Sequence, residues 1–242
     1  MTDSLTLSNL ILACLIVAVG ATVQGSVGFG MGYVAAPLLV LINPMLVPGP
    51  VIFAALALTG LMTWREHQAI DFRGLRWALV GRVIGTVPAA ALLATLPPKG
   101  LALTFGILVL LAVAMSVSGL RLKPKPANLL GAGTLSGFMG TTVAIGGPPV
   151  ALIYQDSDGP RLRGTLSGYF TVGATVSLIA LAIVGRFGRH ELTAALALVP
   201  GSIIGFFASI RFAKILDRGY TRKAVLVLSA LSGLAVILRH VL

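Results

Sequence analysis

Gln24-Gly25-Ser26-Val27-Gly28-Phe29-Gly30-Met31-Gly32 stands in the middle of an apolar run that extends over 10–42, with Pro37 close behind it. A single helix over 33 residues would be about 50 Å long at about 1.5 Å per residue, against a bilayer core of about 30 Å. Glycine and proline disfavour continuous helix. The run therefore reads as a broken helix or as a hairpin that turns back at the glycines. A second long run, 127–154, carries the same kind of interruption: Gly137-Phe138-Met139-Gly140-Thr141-Thr142, then Gly146-Gly147-Pro148-Pro149. The remaining apolar runs, 45–63, 77–96, 101–120, 165–185, 191–210 and 223–241, are each close to the length of one membrane crossing.

Composition points the same way. The 242 residues are 57% hydrophobic and only 10% charged, where a soluble domain is about a quarter charged. The mean hydropathy is +0.98. The partner this implies is the lipid bilayer. A net charge of +11 on a soluble protein would suggest nucleic acid, but here the Lys and Arg residues sit in short loops between apolar runs. That is the pattern of cytoplasmic loops in a membrane protein, and it removes nucleic acid as a partner. The single cysteine, Cys14, lies in an apolar run and excludes both an intrachain disulfide and a cysteine-rich metal site. Met1–Asn9 carries no Lys or Arg, so the first apolar segment is expected to be retained rather than cleaved as a signal peptide. There is no HExxH and no P-loop, and His67, His190 and His240 all lie near segment ends. No enzyme activity, metal or cofactor is expected.

Loop charge orients the spans. Placing 65–76, 121–126, 156–163 and 211–223 in the cytoplasm, with Arg82 counted on that side, leaves 14 Lys/Arg inside and 4 outside. Arg186 and Arg189 run against the rule. Both ends of 127–154 then face the same side, so that run enters and leaves as a hairpin. The halves also resemble each other. At an offset of 112, Gly25, Gly28 and Pro37 fall on Gly137, Gly140 and Pro149; at 120, Gly81-x-x-x-Gly85 falls on Gly201-x-x-x-Gly205. The expected fold is an all-α membrane protein of two inverted repeats, 1–126 and 127–242. Each repeat would be a re-entrant or broken helical hairpin plus three transmembrane helices. Inverted repeats with broken helices place substrate near the midplane, at the repeat interface.

Irregular backbone at membrane depth is tolerated only where protein buries it or where it lines a cavity. Half-helices that start there aim backbone N–H groups at that cavity. The candidate binding residues are therefore Gln24, Ser26, Gly28, Phe29, Gly30 and Gly32 in the first break, and Gly140, Thr141, Thr142, Gly146, Gly147 and Pro148 in the second. Such a site suits a small anion or the polar head of a zwitterion. Gly81/Gly85 and Gly201/Gly205 are read instead as close-packing positions. Arg82 lies inside an apolar run, where it either faces the cavity or snorkels to the interface. Tyr169 either lines the cavity or packs with its hydroxyl satisfied. The acids Asp3, Glu66, Asp71, Asp156, Asp158, Glu191 and Asp217 all lie in loops or at segment ends, so no buried carboxylate offers ion coupling.

These residues carry a family resemblance. Val23-Gln24-Gly25-Ser26-Val27-Gly28-Phe29-Gly30 with Pro37, Trp64-Arg65-Glu66-His67 through Asp71-Phe72-Arg73, Gly146-Gly147-Pro148-Pro149, and Arg163-Gly164-Thr165-Leu166-Ser167 resemble the TauE/SafE (TSUP) family of sulfite and organosulfonate exporters, over nearly the whole chain. Arg82 stands where that family would have a small or apolar residue, so the resemblance implies no role for it. The resemblance implies export of a small sulfur-containing anion such as sulfite or an organosulfonate. The expected location is the bacterial inner (cytoplasmic) membrane, crossed many times, with a homo-oligomer left open. A negative interior would drive a monovalent anion outward by roughly forty-fold per 100 mV without a coupling ion. The rival readings are an anion channel and a membrane-integral assembly factor without transport activity.

Overall fold

The computed structural model describes residues 6–216, together with Leu234 and Leu238. The apolar run 223–241, most of the loop 211–223, and Asp3, Asp217 and His240 lie outside the described residues. The described chain is helical, with no strand: α1 (Leu7–Val27), α2 (Met31–Ile42), α3 (Gly49–Glu66), α4 (Phe72–Thr95), α5 (Pro98–Val117), α6 (Pro126–Val143), α7 (Gly147–Tyr154), α8 (Gly159–Ile183) and α9 (Arg189–Leu216). Short 3-10 turns precede and follow α3. Six segments are long and apolar enough to cross a membrane: Leu7–Val27, Pro44–Ala69, Phe72–Thr95, Lys99–Val117, Gly159–Ile183 and Arg189–Arg211. Their outer faces carry exposed Ile11, Leu15, Val83, Val87, Ile107, Ile204 and Phe207, which suits contact with lipid rather than water.

Both long apolar runs fold as helical hairpins. α1 stops at Gly28 and α2 folds back along it, so that Met31 lies against Gly20, and Leu39 and Ala35 share a core with Val17 and Ala13. α6 stops at Ala144 and α7 folds back, with the Ser136 hydroxyl donating to the Gly146 carbonyl and with Leu129 and Ala132 in one core with Val150 and Ile153. The terminating residues, Gly28 and Ala144, are both left-handed and 116 positions apart. The following helices, starting at Met31 and Gly147, share that spacing. The sequence offset of 112 is thus one helical turn away from the offset at which the two breaks correspond. At that structural offset the glycines of the two breaks coincide only at Gly30 and Gly146, so residue identity alone did not mark it.

Two seams built from small residues dominate the packing. α4 runs parallel to α6, with Gly81 and Gly85 against the carbonyls of Leu130 and Thr134. α9 runs parallel to α1, with Gly201 and Gly205 against the carbonyls of Cys14 and Ala18. A Cβ at any of these four glycines would collide with main chain, so these are close-packing positions. α3 and α8 cross between the seams as an antiparallel pair. Arg163 pairs with Glu66 at one end (3.1 Å), and Phe53 stacks on Phe187 at the other (6.2 Å).

The loops sort by end. At the Glu66 end, Asp71 pairs with Arg161 (3.2 Å), Arg121 lies 3.8 Å from Asp156, and the Gln155 amide donates to the Leu120 carbonyl (2.7 Å). The segments 65–76, 118–126 and 155–163 therefore lie together. Asp71 also caps α4 by accepting from the Gly74 N–H (3.3 Å). Burial alone would raise its carboxyl pKa, but that N–H and the Arg161 guanidinium outweigh it and hold the group below its ordinary value. At the other end, Pro44, Val47, Leu101, Arg186 and Glu191 line one cavity of about 410 Å³.

Candidate functional site

The two breaks meet. A Cβ at Gly32 would collide with the Ala144 carbonyl, and one at Gly147 would lie 3.1 Å from the Phe29 side chain. The first break is written by backbone conformation: Gly28 and Gly30 have φ of 102° and 126°, which disfavour any side chain. The Gly28 N–H closes α1 on the Gln24 carbonyl (2.7 Å), and the Gln24 Oε1 accepts from the Met31 N–H (3.1 Å), capping α2. In the second break Pro148 and Pro149 occupy the first turn of α7 and contribute no N–H. The other first-turn N–H groups, of Gly30 and Gly32 in one break and Gly146 and Gly147 in the other, have no intrahelical acceptor.

Those four glycines line a cavity of about 60 Å³, room for a few water molecules or one small anion. Gln24, Phe29, Arg82 and Gly140 complete its expected lining. α3 and α8 add apolar walls, Val51, Ile52 and Ala55 from one, Phe170 and Ala174 from the other.

Arg82 is 4% exposed, so it does not snorkel. Its Nη1 donates to the Ser136 carbonyl (2.9 Å) and the Ser136 Oγ (3.3 Å). Its Nη2 donates to the Gly173 carbonyl (3.3 Å) and the Ser177 Oγ (3.0 Å). Nε–H is buried without an acceptor. Among the described residues no carboxylate pairs with it; the ion pairs of Glu66, Asp71 and Asp156 all lie at the Glu66 end. Glycines allow this placement: a Cβ on Gly140 would lie 2.5 Å from Nη1, and one on Gly173 2.7 Å from Nε. The charge therefore rests on neutral oxygens, beside a cavity with free N–H donors.

Other expected residues lie elsewhere. Ser26 donates to the Thr22 carbonyl (2.8 Å), as buried serines in helices commonly do. Gly28 packs on Arg163. Thr141 bonds the Ser177 hydroxyl (2.7 Å) and the Thr86 hydroxyl (3.2 Å), behind Arg82. Thr142 donates to the Phe138 carbonyl (2.7 Å) and lines the 410 Å³ cavity instead. Pro148 lines a separate cleft with Val27 and Leu152. Tyr169 is fully buried, its hydroxyl donating to the Gly133 carbonyl (3.4 Å) and its ring 5.7 Å from the Arg82 guanidinium, so it packs and does not line the cavity. Ser136, Gly173 and Ser177 were missed. Tyr169, Gly173 and Ser177 recur every fourth residue on α8, a spacing that could have marked them as one face.

The family description "Sulfite exporter TauE/SafE" matches residues 12–236. The chain belongs to the TauE/SafE family. Comparison with curated proteins and with solved structures gives no match. Membership makes this a multi-pass membrane transporter, in agreement with the six apolar spans. Segments quoted above for their likeness to TauE/SafE proteins form the first break and the cluster beside it. Arg65 donates to the Gly25 carbonyl (2.9 Å) and pairs with Glu66 (3.2 Å), which also holds Arg163.

Proposed function

We propose that this TauE/SafE protein exports a small sulfur-oxo anion, sulfite or an organosulfonate, through the cavity between the two breaks. The observation that carries the reading is the buried Arg82 charge with no carboxylate partner among the described residues, beside four cavity-lining glycines whose N–H groups have no backbone acceptor. A three-oxygen anionic head accepts several hydrogen bonds at once, and backbone donors hold it without a second fixed charge. Binding then stays weak enough for release. The reciprocal seams, α4 with α6 and α9 with α1, support the inverted-repeat reading, since each half lends one helix to the other half's hairpin. The bacterial inner membrane is the expected setting.

Thermal-shift measurements with the purified protein test this against sulfite, alkanesulfonates, carboxylates and halides. Sulfite or a sulfonate should raise the melting temperature, and Arg82→Ala should abolish that shift while remaining monodisperse. Stabilisation by carboxylates alone, or an unchanged shift in Arg82→Ala, would overturn the assignment.

A further inference from the structure

A transporter must close its site to both sides between openings, and Arg82 decides which forms of the site can be closed. Four of its N–H groups are taken by neutral oxygens of α6 and α8, and the Nε–H has no acceptor. The rest of the wall is glycine, Gln24, Tyr33 and apolar side chains, none of them charged. With the cavity empty, one positive charge would be shut in without a counter-charge among the described residues. Enclosing a lone charge in a low-dielectric interior is costly, whereas a hydrogen-bonded neutral pair is far cheaper to enclose. One monoanion makes the site neutral. A dianion leaves it charged again, with the opposite sign.

We propose that the protein is an obligatory exchanger of monoanions: one crosses outward only as another crosses inward. Alkanesulfonates, hydrogensulfite and halides satisfy the charge rule; sulfite dianion and sulfate do not. The inference rests on the anion-transport reading above, and it replaces free movement down the membrane potential with exchange set by two concentration gradients. Arg82 acts as the gatekeeper of the empty state, in addition to its part in holding the anion.

The test uses purified protein in liposomes loaded with labelled ethanesulfonate, the potential clamped with potassium and valinomycin. The vesicles are diluted into potassium ethanesulfonate, potassium sulfate, or potassium gluconate, whose six-carbon polyhydroxy anion is far bulkier than ethanesulfonate. Efflux into ethanesulfonate should exceed efflux into the other two media by at least about tenfold, the factor given by about 1.4 kcal/mol of barrier. Arg82→Gln should lose that acceleration, and Arg82→Lys should keep it. Equal efflux into all three media overturns exchange while leaving transport intact. Acceleration by sulfate as strong as by ethanesulfonate overturns the charge rule, and acceleration retained in Arg82→Gln removes Arg82 from the role. No efflux into any medium overturns anion transport itself. The three media compared on the unsubstituted protein decide the question even where a variant fails to reconstitute.

Discussion

A guanidinium clamped between Gly140 and Gly173 leaves no space for a methyl group on either. Gly140→Ala should push the Arg82 head off Ser136 and lower sulfonate transport at least about tenfold, a loss of about 1.4 kcal/mol, at near-normal membrane levels. Gly131→Ala, on the same helix and facing open space, should transport as the unsubstituted protein does. Gly146→Leu should abolish transport outright, because its Cβ would meet Arg82 Nη1 at 2.7 Å and its side chain would fill the cavity. Initial rates in vesicles, normalised to folded protein, check all three. At this scale the glycines of the two breaks were legible in the sequence, since glycine beside proline in an apolar run has few structural uses, whereas Arg82 stayed open between cavity and interface. Ser26 and Thr142 were not, because a hydroxyl in a helix can satisfy itself on the carbonyl four residues back, and both do so.

Helices meet here through backbone as much as through side chains. On the α9–α1 seam, Gly201→Ala would drive a methyl group into the Cys14 carbonyl. Such overpacking should destabilise by about 1–3 kcal/mol, seen as a lower melting temperature in detergent, with sulfonate affinity unchanged because Gly201 lies off the cavity. At the start of α4, Asp71→Ala removes the cap on Gly74 and should cost about 1 kcal/mol at neutral pH. The folded pKa of Asp71 lies below its unfolded value. Its contribution is therefore present above an unfolded pKa of about 3.9 and lost as the pH falls through the folded value. The difference between Asp71→Ala and the parent should shrink on acidification below that point, measured by thermal denaturation across pH.

The molecule as a whole has two ends that differ in chemistry. One holds the segments 65–76, 118–126 and 155–163, which carry eight Lys and Arg residues and are tied together by ion pairs. The other opens into the 410 Å³ cavity beside Arg186 and Glu191. The excess of Lys and Arg predicts that the first end faces the cytoplasm. In a Cys14→Ser background, Asp158→Cys should resist a membrane-impermeant thiol reagent applied from outside, whereas Arg186→Cys should react. Strong labelling at 158 from outside would overturn this orientation and the second hairpin read from loop charge.

Amphipathic periodicity is of little help in this chain, because lipid accepts an apolar side chain as readily as the core does. What the sequence determined by itself came from composition and from helix breakers. Apolar runs of bilayer length set the spans, glycine and proline in Gly28–Pro37 and Gly140–Pro149 set the two breaks, and Val23–Gly30 with Gly146–Pro149 marked the family. Only the tertiary structure decided what meets at the breaks. Whether Arg82 reaches lipid headgroups or a cavity depends on which neighbours present glycine to it, and those are Gly140 and Gly173 from two other helices. The acceptors that hold it, on Ser136 and Ser177, lie 54 and 95 positions along the chain. No local pattern encodes that encounter, since it is made by parallel packing of α4 on α6 and by α8 closing over both.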